Sequence, residues 1–136
     1  MSYDIFAFDV QSAPADDSSL LTWYREQAKW GEPHSYDDAS VTTPALRAFY
    51  REMITIYPPM NGPDAPEFDD DIEFDEDIEV ADYCIGYSIV YVAFGWSEAT
   101  LARDAFVRLG GKHQVGVCEI SEDPLVIHRH VQPRRL

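Results

Sequence analysis

The stretch "VADYCIGYSIVYVAFGW", residues 80–96, decides the fold because it has the pattern of two strands joined by a short turn. Val, Ile, Tyr and Phe fill both halves, and these are the residue types that strands prefer. The connection at residues 86–88 is too short for a crossover, so an antiparallel hairpin is predicted. Segments with helical spacing lie on both sides of this hairpin, which is typical of an α+β domain.

Two helices are predicted before the hairpin. The first follows capping residues at positions 17–19 and extends to about Trp30. The second begins where Thr43 precedes Pro44, because a capping hydroxyl before a proline is typical of a helix start. Its apolar residues recur at i, i+3, i+4 and i+7, and the prolines at 58–59 end it.

A third helix and further strands are predicted around this frame. The helix follows the hairpin, with Ser97 as its expected cap and the glycines at 110–111 as its end. The apolar runs at residues 3–10 and 115–120 predict the first and fourth strands. Residues 121–136 are expected to be an extended C-terminal tail, with a short fifth strand as the alternative for part of it.

The predicted order of elements is β-α-α-β-β-α-β. It favours a mostly antiparallel sheet of four to five strands with three helices on one face, in a split-βαβ, ferredoxin-like arrangement. The first crossover is then a helical hairpin in place of a single helix. At 136 residues, the whole chain, 1–136, is expected to form a single α+β domain.

The charge of the chain narrows the classes of partner. The formal net charge is −15, and the first basic residue after Arg51 is Arg103. Phosphate groups bind to basic surfaces, so neither nucleic acid nor an anionic membrane is an expected partner. The absence of a signal peptide and of a long apolar run predicts a cytoplasmic protein, whose cysteines, Cys84 and Cys118, are expected to be reduced.

The most unusual feature is an acidic segment, residues 64–79, in which ten of sixteen residues are Asp or Glu and none is Lys or Arg. Such a charge run is ordinarily a solvated, disordered loop. Apolar residues lie between the acids, however, and aromatic anchors inside a polar rim are typical of an interface. The sequence therefore predicts a surface for a basic partner. The residues assigned to it are Phe68, Asp69, Asp70, Asp71, Glu73, Phe74, Asp75, Glu76 and Asp77.

Catalytic and metal sites have weaker support. The acidic segment lacks the glycine and the acid spacing of a calcium loop, and His128 and His130 have no evident third ligand for zinc. No catalytic residue, metal or cofactor is therefore predicted. The alternative hypothesis is a small enzyme or ligand-binding domain with a pocket between helices and sheet. The residues of that pocket could equally form an ordinary polar turn. The residues of this alternative pocket are His34, Tyr36, Asp37 and Asp38.

A family resemblance rests on four stretches: "SYDIFAFD", "VTTPALRAFYREMITIYPPMNGP", "DYCIGYSIVYVAFGWSEA" and "KHQVGV". Together they cover most of the chain and resemble a family of small bacterial proteins that is similar to the immunity proteins encoded beside secreted polymorphic toxins. The resemblance implies a small, acidic, non-enzymatic α+β protein that neutralises a toxin by direct binding. It implies no catalytic residue. Combined with the acidic segment, it predicts a toxin domain as the basic protein partner.

Overall fold

The computed structural model describes residues 2–34, 36–60, 63–65, 80–122 and 126–129. These described residues form five strands and three helices, which confirms the α+β class and the predicted order of the elements. The strands are β1 (Ser2–Phe8), β2 (Asp82–Ile85), β3 (Ile89–Gly95), β4 (Gly116–Glu119) and β5 (Val126–His128). The helices are α1 (Asp17–Gln27), α2 (Pro44–Ile56) and α3 (Ala99–His113).

The strands form one antiparallel sheet in the order β2-β3-β1-β4-β5. The connection from β1 to β2 skips over β3, and the connection from β3 to β4 skips over β1. Each helical crossover therefore joins two strands that are separated by an antiparallel one. This is the predicted split-βαβ, ferredoxin-like arrangement. Part of the predicted tail joins the sheet as β5, which pairs with β4.

The two faces of the sheet are covered by different helices. Tyr3, Ile5 and Ala7 of β1 are buried in the same apolar cluster as the inward residues of α2 and α3. Phe6 and Phe8, which point to the opposite face, are buried with residues of α1. The prediction that the helices share one face is therefore wrong for α1. Because β1 has large apolar side chains on both sides, both of its faces must be removed from water.

The α2–α3 face is held by aromatic rings that meet edge to face. Phe106 of α3 contacts Phe49 of α2 and Phe94 of β3, with ring centroids 4.8 and 6.3 Å apart. The predicted start of α2 is confirmed, since the Thr43 hydroxyl accepts a hydrogen bond from Leu46 N at 3.3 Å and Pro44 is the first helical residue. The local cap therefore fixes the start of the helix that contributes Phe49 to this core.

The predicted boundaries of α3 are wrong at both ends. A 3-10 turn, Trp96–Glu98, precedes the helix, so Ser97 lies inside that turn and does not cap α3. The helix continues through the glycines to His113, and Gln114 takes the left-handed conformation at φ 57°. Burial of the last helical turns outweighs the low helix propensity of glycine, and the chain reverses only where the buried stripe ends.

Candidate functional site

The chain just before the acidic segment is bonded to the chain just after it. Met60 N donates a hydrogen bond to the Ala81 carbonyl, and Ala81 N donates to the Pro58 carbonyl, each at 3.0 Å. Beside this parallel bridge, the buried Tyr83 hydroxyl donates to the Tyr57 carbonyl at 2.7 Å. The residues after α2 and those at the start of β2 are therefore fastened together, and we call this junction the base of the acidic segment because it flanks the segment in sequence.

The first carboxylate of the acidic segment is attached to this base. Tyr50 of α2 is buried, and its hydroxyl donates a hydrogen bond to Asp64 Oδ2 at 2.9 Å. Burial, followed by the bond to Asp64, raises the pKa of Tyr50 well above its usual value, so the hydroxyl keeps its proton. The predicted partner-binding residues lie outside the described residues; they are Phe68, Asp69, Asp70, Asp71, Glu73, Phe74, Asp75, Glu76 and Asp77.

Two residues of the alternative pocket, His34 and Tyr36, lie together beside the β2–β3 turn. The His34 ring lies 4.8 Å from the rings of both Tyr36 and Tyr87, measured between centroids. His34 Nε2 is 2.5 Å from Glu32 Oε1, and the imidazole is largely buried. The predicted end of α1 at Trp30 is wrong by three residues. Trp30 instead adopts a left-handed conformation at φ 50° and packs its ring against Tyr36.

Glu32 is the residue that organises this cluster, and sequence reasoning missed it. Its carboxylate also accepts a hydrogen bond from Tyr87 N at 3.0 Å, while its own N–H donates to the Tyr36 hydroxyl at 2.8 Å. Ile85 N donates to the Tyr36 carbonyl at 2.8 Å, so the loop also covers part of the outer edge of β2. The sequence could have indicated the contact between Glu32 and His34, because the two residues are only two positions apart. It could not have indicated the contact with Tyr87, which is distant in sequence.

The other two residues of the alternative pocket have different roles. Asp38 caps the 3-10 turn Ala39–Val41, and its Oδ1 accepts hydrogen bonds from Ser40 N at 2.9 Å and Ser40 Oγ at 2.7 Å. These bonds lower the pKa of Asp38, which therefore remains ionised near neutral pH. Asp37 is half-buried, and its negative charge is one of the smaller causes that raise the pKa of Tyr50. The predicted set of four residues therefore does not converge on one point.

A second charged cluster, centred on Glu119, was not predicted. The Glu119 side chain is fully buried, with Oε2 2.5 Å from His128 Nε2 of β5. Its Oε1 accepts a hydrogen bond from Arg103 Nε of α3, and it lies 3.4 Å from the Tyr3 hydroxyl of β1, which is closer to Glu122 Oε1, at 3.0 Å. A buried carboxylate requires such partners, because an unpaired charge would be strongly destabilising. The network joins four elements, and its members are too far apart in sequence to be recognised.

The surface of α1 carries a shallow depression of about 410 Å³, lined by Ser18, Ser19, Thr22, Trp23 and Glu26. None of the predicted site residues lines it. In the part of the chain that the structure describes, no three His, Cys, Asp or Glu side chains are grouped to hold a metal ion. No described helix has the length and apolar character of a membrane span.

The remaining histidines also have definite positions. His113, at the end of α3, lies 2.9 Å from Glu52 Oε1, which also accepts a bond from Lys112 at 2.8 Å. The bond from Lys112, and after it the bond with His113, lowers the pKa of Glu52. His130 lies outside the described residues.

Comparison of the chain with protein-family models, with curated proteins and with solved structures finds no match.

Proposed function

We propose that this chain is a non-enzymatic binding protein of the immunity type, which neutralises a basic toxin domain through its acidic segment. The observation that carries the proposal is the charge distribution. Ten carboxylates lie within residues 64–79, and the chain has no Lys or Arg between Arg51 and Arg103. Uncompensated charge of one sign attracts a partner of the opposite sign and raises its association rate.

The base of the acidic segment supports this function. The bridge between Pro58, Met60 and Ala81 joins the chain on the two sides of the segment, so the stretch that carries the carboxylates is closed at its base. Closing a loop in the free protein reduces the entropy that is lost when the loop is ordered on binding. The bond between Tyr50 and Asp64 adds a further attachment at the start of the segment. A basic partner would therefore meet ten carboxylates that belong to one closed stretch of the chain.

The second candidate is a small ligand-binding or catalytic domain, and one observation favours it. His34 and Glu32 lie within hydrogen-bonding distance beside two tyrosines, and an imidazole–carboxylate pair is a common acid–base arrangement. The same contacts fasten the loop to the β2–β3 turn. A His34→Gln variant separates the two candidates, because it should leave partner binding unchanged if the acidic segment is the binding surface.

The experiment is affinity capture from cells of the organism that encodes the chain. One variant carries Asp→Asn at Asp69, Asp70 and Asp71. Its charge-matched control carries neutral replacements at Asp17, Glu26 and Asp104, which are exposed residues that each form an ion pair at the surface. Wild type and control should retain the same basic protein, and the segment variant should lose most of it. Co-expression of the wild-type chain should also restore growth to cells that produce the captured protein.

Two results would overturn the proposal. The first is equal capture by the segment variant and the control, because the carboxylates at 69–71 would then have no special role. The second is a captured protein whose toxicity or activity is unaffected by the chain. In that case the interaction would not be a neutralising one.

A further inference from the structure

We propose that His34 is a pH-sensitive latch, which in its protonated form holds the loop after α1 against the outer edge of β2 and in its neutral form lets that loop open. Residues 30–34 and 36–38 of the described chain make up this loop, and we call it the covering loop. The inference goes beyond the proposed function and does not depend on it, because no residue of the latch belongs to the acidic segment.

The covering loop protects one edge of the sheet. β2 is an outermost strand, since it pairs with β3 alone among the described strands. Ile85 N, at the end of β2, donates a hydrogen bond to the Tyr36 carbonyl at 2.8 Å. Trp30 packs its ring against Tyr36 at 5.1 Å and against Tyr91 of β3 at 6.1 Å, measured between centroids. An uncovered edge strand presents backbone groups that can pair with another chain, so opening of the covering loop would change the surface that the sheet offers.

The contacts of His34 join the covering loop to the β2–β3 turn. Its Nε2 lies 2.5 Å from Glu32 Oε1, and its ring lies 4.8 Å from the rings of Tyr36 and Tyr87. The same carboxylate oxygen accepts the Tyr87 N–H at 3.0 Å, and a Cβ atom placed on Gly86 would lie 3.2 Å from it. Glu32 is therefore the link between loop and turn, and His34 is positioned to neutralise its charge.

The burial of this pair makes the contact sensitive to the proton. The His34 side chain is 9 % exposed and that of Glu32 is 22 % exposed. Burial opposes a charged imidazole, but it also penalises a carboxylate that has no cationic partner. A proton on His34 makes the pair neutral as a whole, whereas its loss leaves a largely buried negative charge. The neutral ring can keep a hydrogen bond, but it cannot keep the attraction between opposite charges.

The other ionisable groups around the latch act in the same sense. The bonds from Ser40 chiefly lower the pKa of Asp38, and the positive charge of His34 acts in the same direction. Arg47 of α2 also acts on Asp38, but its guanidinium donates to three backbone carbonyls. The two tyrosines beside the imidazole are phenols, which are uncharged near neutral pH. The contribution of the latch is therefore present while His34 is protonated, and it is lost as the pH rises and the proton leaves.

The test is amide hydrogen exchange of the full chain, followed by NMR between about pH 5.5 and about pH 8.5 and corrected for the intrinsic pH dependence of exchange. The protection of the Ile85 N–H should fall about fivefold across this range, because a charge-assisted hydrogen bond is stronger than a neutral one. The Gly86 N–H is the internal control. It donates to the Ile89 carbonyl at 2.8 Å within the turn itself, so its protection should not change.

Three variants assign the response to the latch. His34→Gln should show, at every pH, the protection that the Ile85 N–H of wild type has at high pH. Glu32→Gln should also abolish the fall, because an imidazolium would then have no carboxylate to bind. His113→Gln is the matched control; it removes another histidine that lies beside a carboxylate, that of Glu52, and it should keep the wild-type response.

Three results would overturn the inference. The first is protection of the wild-type Ile85 N–H that does not change with pH, and the second is an unchanged response in His34→Gln. The third is a parallel loss of protection at Gly86, because it would show that the turn unfolds and not that the loop opens. Thermal melts check that each variant is folded, and Glu32→Gln replaces His34→Gln if the latter unfolds.

Discussion

Substitution of Gly116 by alanine should destabilise the protein, because β4 passes directly beside the ring of Phe8. The two residues are paired across β4 and β1, and a Cβ atom at position 116 would lie 2.2 Å from Phe8 Cζ. Carbon atoms in contact lie about 3.5–4.0 Å apart, so the ring would have to move by more than an ångström. Phe8 is fully buried, with Phe6 at 5.8 Å and Trp23 at 6.4 Å between ring centroids. The expected loss in the free energy of unfolding is about 1–3 kcal/mol, which is typical of overpacking.

Urea unfolding followed by tryptophan fluorescence measures this loss. Gly95→Ala is the matched control, because nothing lies within 4 Å of a Cβ atom placed there and its φ of −60° is allowed for alanine. That control should leave the unfolding midpoint unchanged or raise it slightly. In a Phe8→Leu background the smaller side chain leaves room, so Gly116→Ala should cost at least about 1 kcal/mol less than in wild type.

An unchanged midpoint for Gly116→Ala would refute the placement of Phe8. So would an equal loss in the wild-type and Phe8→Leu backgrounds, because it would show that the two positions are not coupled.

Three further predictions concern the thiols, the cap of α2 and the acidic segment. Burial raises the pKa of Cys118 to about 12 and also raises that of Cys84, so a thiol reagent at pH 8 should modify neither before unfolding; rapid labelling of the native protein would contradict this. Thr43→Ala should lower the free energy of unfolding by about 1 kcal/mol and Thr43→Ser should restore most of it, whereas equal urea midpoints would show that the hydroxyl is not a cap. Replacing residues 66–79 by a short Gly/Ser linker should preserve a cooperative melt, since the bridge at Ala81 remains; a broad, non-cooperative transition would show that the fold needs the segment.

The parts of the fold that were predictable from sequence are those with local causes. The Thr43–Pro44 cap and the turn at residues 86–88 depend on neighbouring residues, and both were located correctly. The position of α1 was not predictable, because the apolar residues of β1 do not specify which helix covers which side. The end of α3 was misplaced for a similar reason: burial of Leu109 and Gly110 extends the helix beyond the point at which glycine would locally end it.

The features of the candidate site also divide into those that a local pattern predicts and those that depend on the assembled fold. The acidic segment was recognisable from composition alone, but its base depends on backbone bonds between Pro58, Met60 and Ala81, which no local pattern indicates. The partners of Glu119 lie as far away in sequence as Tyr3, so only the assembled sheet brings them together.

The central claim is that the acidic segment attracts a basic partner. The most direct test is the association rate of the captured partner, measured by stopped flow as a function of ionic strength. For wild type the rate should fall steeply as salt rises, because exposed charges are screened within about 8 Å at physiological ionic strength. Neutral replacements at Asp69, Asp70 and Asp71, or at Asp75, Glu76 and Asp77, should slow association and flatten this dependence. Phe68→Ala or Phe74→Ala should instead speed dissociation. If the neutralised variants associate at the wild-type rate with the wild-type salt dependence, the acidic segment is not the steering surface and the account is contradicted.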